Sequence, residues 1–193
     1  VGLIGLGAGT LAAYGRRGDE YRFYELNPDV ERMAKQYFSY LDKSAADLDV
    51  VLGDARVTLT NELKQSGSQD FQVLVLDAFS GDSIPAHLLT VEAMELYWQH
   101  LRTDGVLAIH ISNSHLDLTS LVRGLAKHQG KEALYFFTEP DQLEPNLTQW
   151  VIITDNKSFK RNARVRRLQS QWPDTEQDLV WRDDYSNLLS VLK

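Results

Sequence analysis

Short apolar runs alternate with polar, helix-periodic segments along most of this chain. Residues 1–9 (VGLIGLGAG) open with Val, Leu and Ile and stop at glycines 5, 7 and 9, the pattern of a buried strand entering a tight turn. Strand-like runs recur at 21–26 (YRFYEL), 49–52, 71–76 (FQVLVL) and 105–112 (GVLAIHIS). A helical segment is predicted after each: 10–17, a helix entered at Asn27-Pro28, one from Gly53-Asp54-Ala55 to about Lys64, 91–101 behind Thr90, and 116–128. In the second of these, Val30, Met33, Ala34, Tyr37, Phe38 and Leu41 recur at helical spacing. Asn27 suits its N-cap, Pro28 its first helical position, and Asp29 and Glu31 its positive end. Residues 133–137 and 149–154 read as two late strands with no helical pattern between them, hence an antiparallel pair. Five βα units with right-handed crossovers predict a parallel sheet with helices on both faces, and the closing pair makes it a mixed sheet of seven strands. Residues 156–193 read as an extension of the domain formed by 1–155. They hold a basic amphipathic stretch, then Trp172-Pro173, then an acidic end with Asp183, Asp184 and Tyr185.

At 193 residues, with 43% hydrophobic and 24% charged positions, the chain fits one globular domain with a full core. A net charge of −7 argues against a general nucleic-acid binder, and Lys157, Lys160, Arg161, Arg164, Arg166 and Arg167 read as a solvated helix face. Without cysteine there are neither disulfides nor thiolate metal sites, and no metal is expected. No apolar run approaches the roughly 20 residues that span a bilayer. Val1 is not Met and already lies in the first predicted strand, so the expectation is a piece of a longer chain that lacks its N-terminal region.

In such a sheet, ligands bind beyond the carboxyl ends of the strands, where the strand order reverses. The glycine turn, Glu25, Asp54, Asp77, His110, Ser112 and Asn113 all fall at predicted strand ends. Gly5 allows φ > 0, Gly7 leaves room for a ligand, and Gly9 lets the next helix start close by. A helix N-terminus behind such a turn suits a nucleotide-like ligand. Glu25, 20 residues after Gly5, is placed to accept two ribose hydroxyls. Asp54 is placed either to accept from an adenine amine, with the Ala55 amide donating to the ring, or to cap a helix. His110 alternates with apolar neighbours and reads as a hydrogen-bonded structural histidine, whereas Asn113 lies nearer a substrate. The dinucleotide fingerprint needs glycine at position 10, which is Thr10 here. With the closing antiparallel pair, this favours a Rossmann-like, class I adenosylmethionine-methyltransferase fold over an NAD fold.

Over residues 1–155 the chain resembles the spermidine/spermine synthase (polyamine aminopropyltransferase) family. The resemblance rests on GLGAG, Glu25, GDAR at 53–56, VLDAFSGDSIPAHLLT at 75–90 and HISNSHLDL at 110–118, the last two resembling the bacterial spermidine-synthase-like branch. It implies that Gly5, Gly7 and Gly9 hold the aminopropyl or methionine end of S-adenosylmethionine or its decarboxylated form, Glu25 the ribose, and Asp54 with Ala55 the adenine. Asp77 then matches the first aspartate of the family's D-x-x-D-P motif and helps deprotonate the attacking amine. The acceptor is implied to be a small amine or polyamine, and the protein a homodimer. In the full-length chain the resemblance implies a cytoplasmic domain fused to segments of the inner membrane.

Two positions depart from the family. Its glycine-rich aspartate is Ala8 here, which removes one reason to prefer the decarboxylated cofactor, and its second motif aspartate is Ser80, with Asp82 as a replacement substrate contact. Three readings therefore stand: aminopropyl transfer to an amine, methyl transfer from ordinary adenosylmethionine, and a non-catalytic adenosyl-binding module.

Overall fold

Neighbouring residues of the central strands belong to two different cores. Leu3, Phe23, Val75 and Ala108 join a smaller cluster, while their neighbours Ile4, Tyr24, Leu74, Leu76, Leu107 and Ile109 join a larger one. Side chains of a strand alternate between faces, so a sheet covered on both sides needs apolar residues at every position. The computed structural model describes residues 1–79, 85–139, 147–174 and 177–193.

The strands are β1 (Gly2–Ile4), β2 (Glu20–Glu25), β3 (Asp47–Leu52), β4 (Phe71–Leu76), β5 (Leu101–His110), β6 (Ala133–Thr138) and β7 (Thr148–Ile153). They form one seven-stranded sheet in the order β3-β2-β1-β4-β5-β7-β6. Pairing is parallel from β3 to β5, and β7 runs antiparallel to both β5 and β6. This is the mostly parallel α/β sheet with one antiparallel insertion that the sequence implies. The chain leaves β1 toward β2 and β3 on one side and returns to β4 on the other, so the crevice opens between the ends of β1 and β4.

The helices are α1 (Pro28–Tyr37), α2 (Ala55–Ser66), α3 (Val91–His100), α4 (Thr119–His128), α5 (Lys157–Arg161) and α6 (Ala163–Leu168). Asn27, Asp54 and Thr90 each cap a helix through the side chain, accepting from the amides of Asp29, Val57 and Ala93. The larger core takes Leu59 from α2, Met94 and Tyr97 from α3, and Leu121 and Leu125 from α4. Trp181 and Val191 of the tail are buried in the same cluster. Gly124 in α4 lets the tail approach, since a Cβ there would lie 2.0 Å from the carbonyl oxygen of Leu179.

Several boundaries differ from those read in sequence. Residues 10–17 do not form an α-helix; Thr10–Tyr14 is a 3-10 turn, too short and too poor in a continuous apolar stripe to propagate. β5 starts at Leu101, directly after α3, and leaves the ladder at His110 rather than at 112. α4 begins at Thr119, because Asp117 accepts from the Thr119 amide and Leu116 bridges to Leu192 of the tail. The basic stretch divides into α5 and α6 at Asn162, whose side chain accepts from the Arg164 amide.

Candidate functional site

A cavity of about 370 Å³ opens where the strand order reverses. Its wall includes Gly5, Gly7 and Ala8 of the turn after β1, Glu25 at the end of β2, and Asp54 and Ala55 at the start of α2. Asp77 and Phe79, beyond β4, and His87 and Leu88 close the other side. The volume lies in the range of ordinary small-molecule sites.

The glycine turn is dictated by close approach. Gly5 has φ +101°, and a Cβ there would sit 2.3 Å from the carbonyl oxygen of Asp77, so the turn and the end of β4 lock together. Gly7, at φ +53°, has no atom within 4 Å of its Cβ position, which leaves open space in the cavity wall. Gly9, at φ +79°, is pressed by Leu41 from beyond α1 rather than by the strand.

Glu25 is 9% exposed and holds two backbone groups. One carboxylate oxygen accepts from the buried amide of Leu6 at 3.0 Å, the other from the amide of Asn27 at 2.8 Å. A carboxylate has about four acceptor positions, so these amides use only about half of them. Glu25 thus shapes the turn that it shares with the ligand space.

Asp54 is engaged as the cap of α2 and lines the cavity as well. Its Oδ1 accepts from the Val57 amide at 2.9 Å, and its Oδ2 meets His87 Nε2 at 2.9 Å. Burial works against its carboxylate, yet the Val57 amide and then His87 outweigh that and hold its pKa below the usual 3.8. Ala55, next along, is buried in the cavity wall.

Asp77 lies one step beyond β4, with its side chain 35% exposed. Its Oδ1 meets His110 Nδ1 at 2.7 Å, and His110 Nε2 meets Ser112 Oγ at 2.8 Å. His110 is hydrogen-bonded on both nitrogens, as its sequence context predicts, but its first partner is the candidate catalytic carboxylate. The sequence signal for this pair was the polar residue ending each of two adjacent strands: Leu76 registers with Ile109, which brings positions 77 and 110 to one level.

Asn113 is not brought to the cavity wall. Its Oδ1 accepts from the amides of His115 and Leu116, at 2.8 and 2.7 Å, and shapes the bend after β5. Asp82, the other expected substrate contact, lies outside the described residues, as does Ser80. Asp183 of the tail is not in the cavity wall; it pairs with Arg56 at 2.5 Å and accepts from Thr90 at 2.8 Å. His87, unremarked in the sequence, reaches the wall because a 3-10 turn at Ala86–Leu88 leads into α3.

No family model matches the chain. In sequence it is similar to the polyamine aminopropyltransferase of Vibrio vulnificus strain CMCP6, 34% identical over 110 residues that make up 54% of this chain and 35% of that protein. It is also similar to the N-terminal histidine N-methyltransferase of Emericella nidulans, 29% identical over 109 residues, or 56% of this chain and 19% of that protein. The matched region is thus about a third or less of either curated relative. In structure it is similar to a probable spermidine synthase from Corynebacterium glutamicum, with a TM-score of 0.66 at 18% identity over 97% of this chain and 73% of that one. Human methyltransferase-like protein 13, solved in complex with SAH, gives a TM-score of 0.63 at 15% identity over 91% of this chain and 85% of that one. In sequence the chain is thus similar to a polyamine aminopropyltransferase, and its sheet has the fold that a probable spermidine synthase and a methyltransferase share.

Proposed function

We propose that this chain binds S-adenosylmethionine or its decarboxylated form in the β1–β4 cavity and transfers an aminopropyl group to a small amine or polyamine. The observation that carries the reading is that Glu25 and Asp77, at the ends of the strands on either side of β1, line one cavity with the glycine turn. Glu25 would accept the ribose hydroxyls, and the turn from Gly5 to Gly9 would line the sulfonium end. Asp54 keeps its cap, so adenine would meet that corner through Ala55 and the outer side of the Asp54 carboxylate. The donor supplies a sulfonium, whose attached carbon is open to attack and whose sulfur is a good leaving group.

The protein's task is then positioning and one proton. Asp77 takes a proton from the acceptor ammonium and leaves a neutral amine. The amine lone pair forms the new C–N bond while the C–S bond breaks, and its electron pair stays on sulfur as a neutral thioether. The positive charge ends on the product ammonium, and Asp77 returns its proton to solvent.

Ala8 supports a second reading, methyl transfer from ordinary adenosylmethionine, because no acid stands at that place in the cavity wall to favour an ammonium over a carboxylate. The decisive experiment titrates the protein with adenosylmethionine, its decarboxylated form and methylthioadenosine, then assays putrescine and spermidine as acceptors. Aminopropylated product supports the first reading. Methylated product alone replaces it with the second, and binding without turnover in the full-length protein leaves an adenosyl-binding module.

A further inference from the structure

Asp77 does not stand alone at the end of β4; it is the outer end of a hydrogen-bonded row that crosses to β5 and β7. The row has a direction. The backbone amide of Gln149 can only donate, and it donates to Ser112 Oγ at 2.6 Å. Ser112 has one hydrogen, and with a neutral imidazole it passes to His110 Nε2 at 2.8 Å. The one ring proton then sits on Nδ1 and is donated to Asp77 Oδ1 at 2.7 Å. Every member donates once in the same sense, and the direction is set at the outer end: an ionised carboxylate can only accept, so Asp77 selects the Nδ1–H tautomer of a neutral imidazole, and the bare Nε2 takes the Ser112 hydrogen.

The ring is held as firmly as its protons. His110 registers opposite Trp150 across the β5–β7 pair and stacks on it, with centroids 4.6 Å apart and planes 11° from parallel. Phe79 meets the ring edge-on at 5.0 Å. These contacts pack one face and the edge of the imidazole, whose side chain is 22% exposed.

Resting on the transferase reading above, we propose that His110 is a positioning residue for the acceptor step. It ties up one oxygen of Asp77 and presents the other, Oδ2, to the incoming amine. The same three residue types form the nucleophilic triad of hydrolases, where the serine faces the substrate. Here the order is reversed. Asp77 lines the cavity whereas neither His110 nor Ser112 does, and the serine oxygen is engaged by the Gln149 amide. The working end of the row is the carboxylate.

A carboxylate held through one oxygen meets the amine in one orientation, whereas a loose one must be ordered at each turnover. Misplacement of a reacting group by about 1 Å costs on the order of a hundredfold in rate. His110→Phe keeps the ring stacked on Trp150 and removes both hydrogen bonds. His110→Asn shortens the side chain but sets an amide N–H where Nδ1–H was, so it restores the donor to Asp77.

With decarboxylated adenosylmethionine as donor and spermidine or putrescine as acceptor, His110→Phe is expected to lower kcat by about tenfold to a hundredfold. Its affinity for methylthioadenosine should stay within about twofold of wild type, and His110→Asn should recover most of the rate. Wild-type turnover in His110→Phe overturns the proposal. So does an His110→Asn rate no better than that of His110→Phe, which would make the ring a packing element only. A ligand-free arm reads the row directly: in the singly protonated form of the wild-type imidazole, the ¹⁵N spectrum should show the proton on Nδ1 and a bare Nε2, and the opposite tautomer overturns the arrangement. If that spectrum is as expected but the full-length protein binds no adenosyl ligand, the transferase reading has failed, and the role given to Oδ2 falls with it.

Discussion

Glu25→Gln tests whether one carboxylate both holds the glycine turn and receives the ligand. Glutamine has nearly the same shape but only one acceptor oxygen, whereas Glu25 serves two amides. The Leu6 amide is buried, so the remaining oxygen should turn to it, and the new NH₂ then faces the Asn27 amide, which is only part-buried and can turn to water. One charged hydrogen bond becomes a neutral one and a second is lost. With charged bonds contributing about 1.5–3 kcal/mol and neutral ones about 0.5–1.5, the exchange costs about 1–1.5 and the lost bond about 1.5–3, so the fold should lose roughly 2.5–4.5 kcal/mol. For a chain of this size that corresponds to a melting temperature lower by roughly 5–18 °C. Ligand affinity should fall as well under the proposed function, in which the Glu25 charge accepts the ribose hydroxyls. The loss of about 1.5–3 kcal/mol is roughly tenfold to 150-fold in Kd. Thermal melts of the free protein and calorimetric titration with methylthioadenosine separate the two effects. A lowered melting temperature with unchanged affinity would show that Glu25 only braces the turn. If neither moves, the carboxylate is not doing what its two hydrogen bonds indicate.

Restoring an acid at the turn, Ala8→Asp, should shift preference toward decarboxylated over ordinary adenosylmethionine by about one to two powers of ten, or roughly 1.4–2.8 kcal/mol. Competition titrations read this ratio, and an unmoved ratio means that position 8 does not face the aminopropyl end. Gly124→Ala should destabilise by about 1–3 kcal/mol even though alanine is the better helix former, since its Cβ meets the Leu179 carbonyl. Chemical denaturation measures it, and a more stable variant would mean that the tail does not pack on α4. Among the described residues, three carboxyls have folded-state pKa values lowered from 3.8: Asp183 by Arg56, Asp178 by Arg123, and Asp54 against its burial by the Val57 amide and His87. Lowered values mean that their stabilisation is present above about pH 4 and is lost as pH falls through the depressed values, so the melting temperature should drop steeply below that point. The double variant Asp178→Asn, Asp183→Asn should flatten that drop, and an acid limb equal to wild type would rule these pairs out as its cause.

The strand-to-helix rhythm and the order of the elements were legible because apolar periodicity and caps are local. FQVLVL at 71–76 needs only itself to read as a buried strand, and Asn27-Pro28 marks the start of α1 without knowledge of its neighbours. The positions of the cavity residues were legible for a related reason: in a parallel sheet the carboxyl ends lie at one edge, so polar residues ending apolar strands gather there. What each of those residues touches was not. That Glu25 holds the amide of Leu6 and that Asp77 meets His110 depend on register, whereas the turn that Asn113 makes after β5 is local and is one of several conformations that its side chain allows. Register is set by how the strands pair, and the two members of each long-range contact are 19 to 127 residues apart for Glu25–Leu6, Asp77–His110 and Arg56–Asp183. The tail shows the limit most plainly. Its composition reads as a polar extension, yet Trp181 and Val191 are buried in the main core, because only the folded sheet and α4 create the surface that they cover.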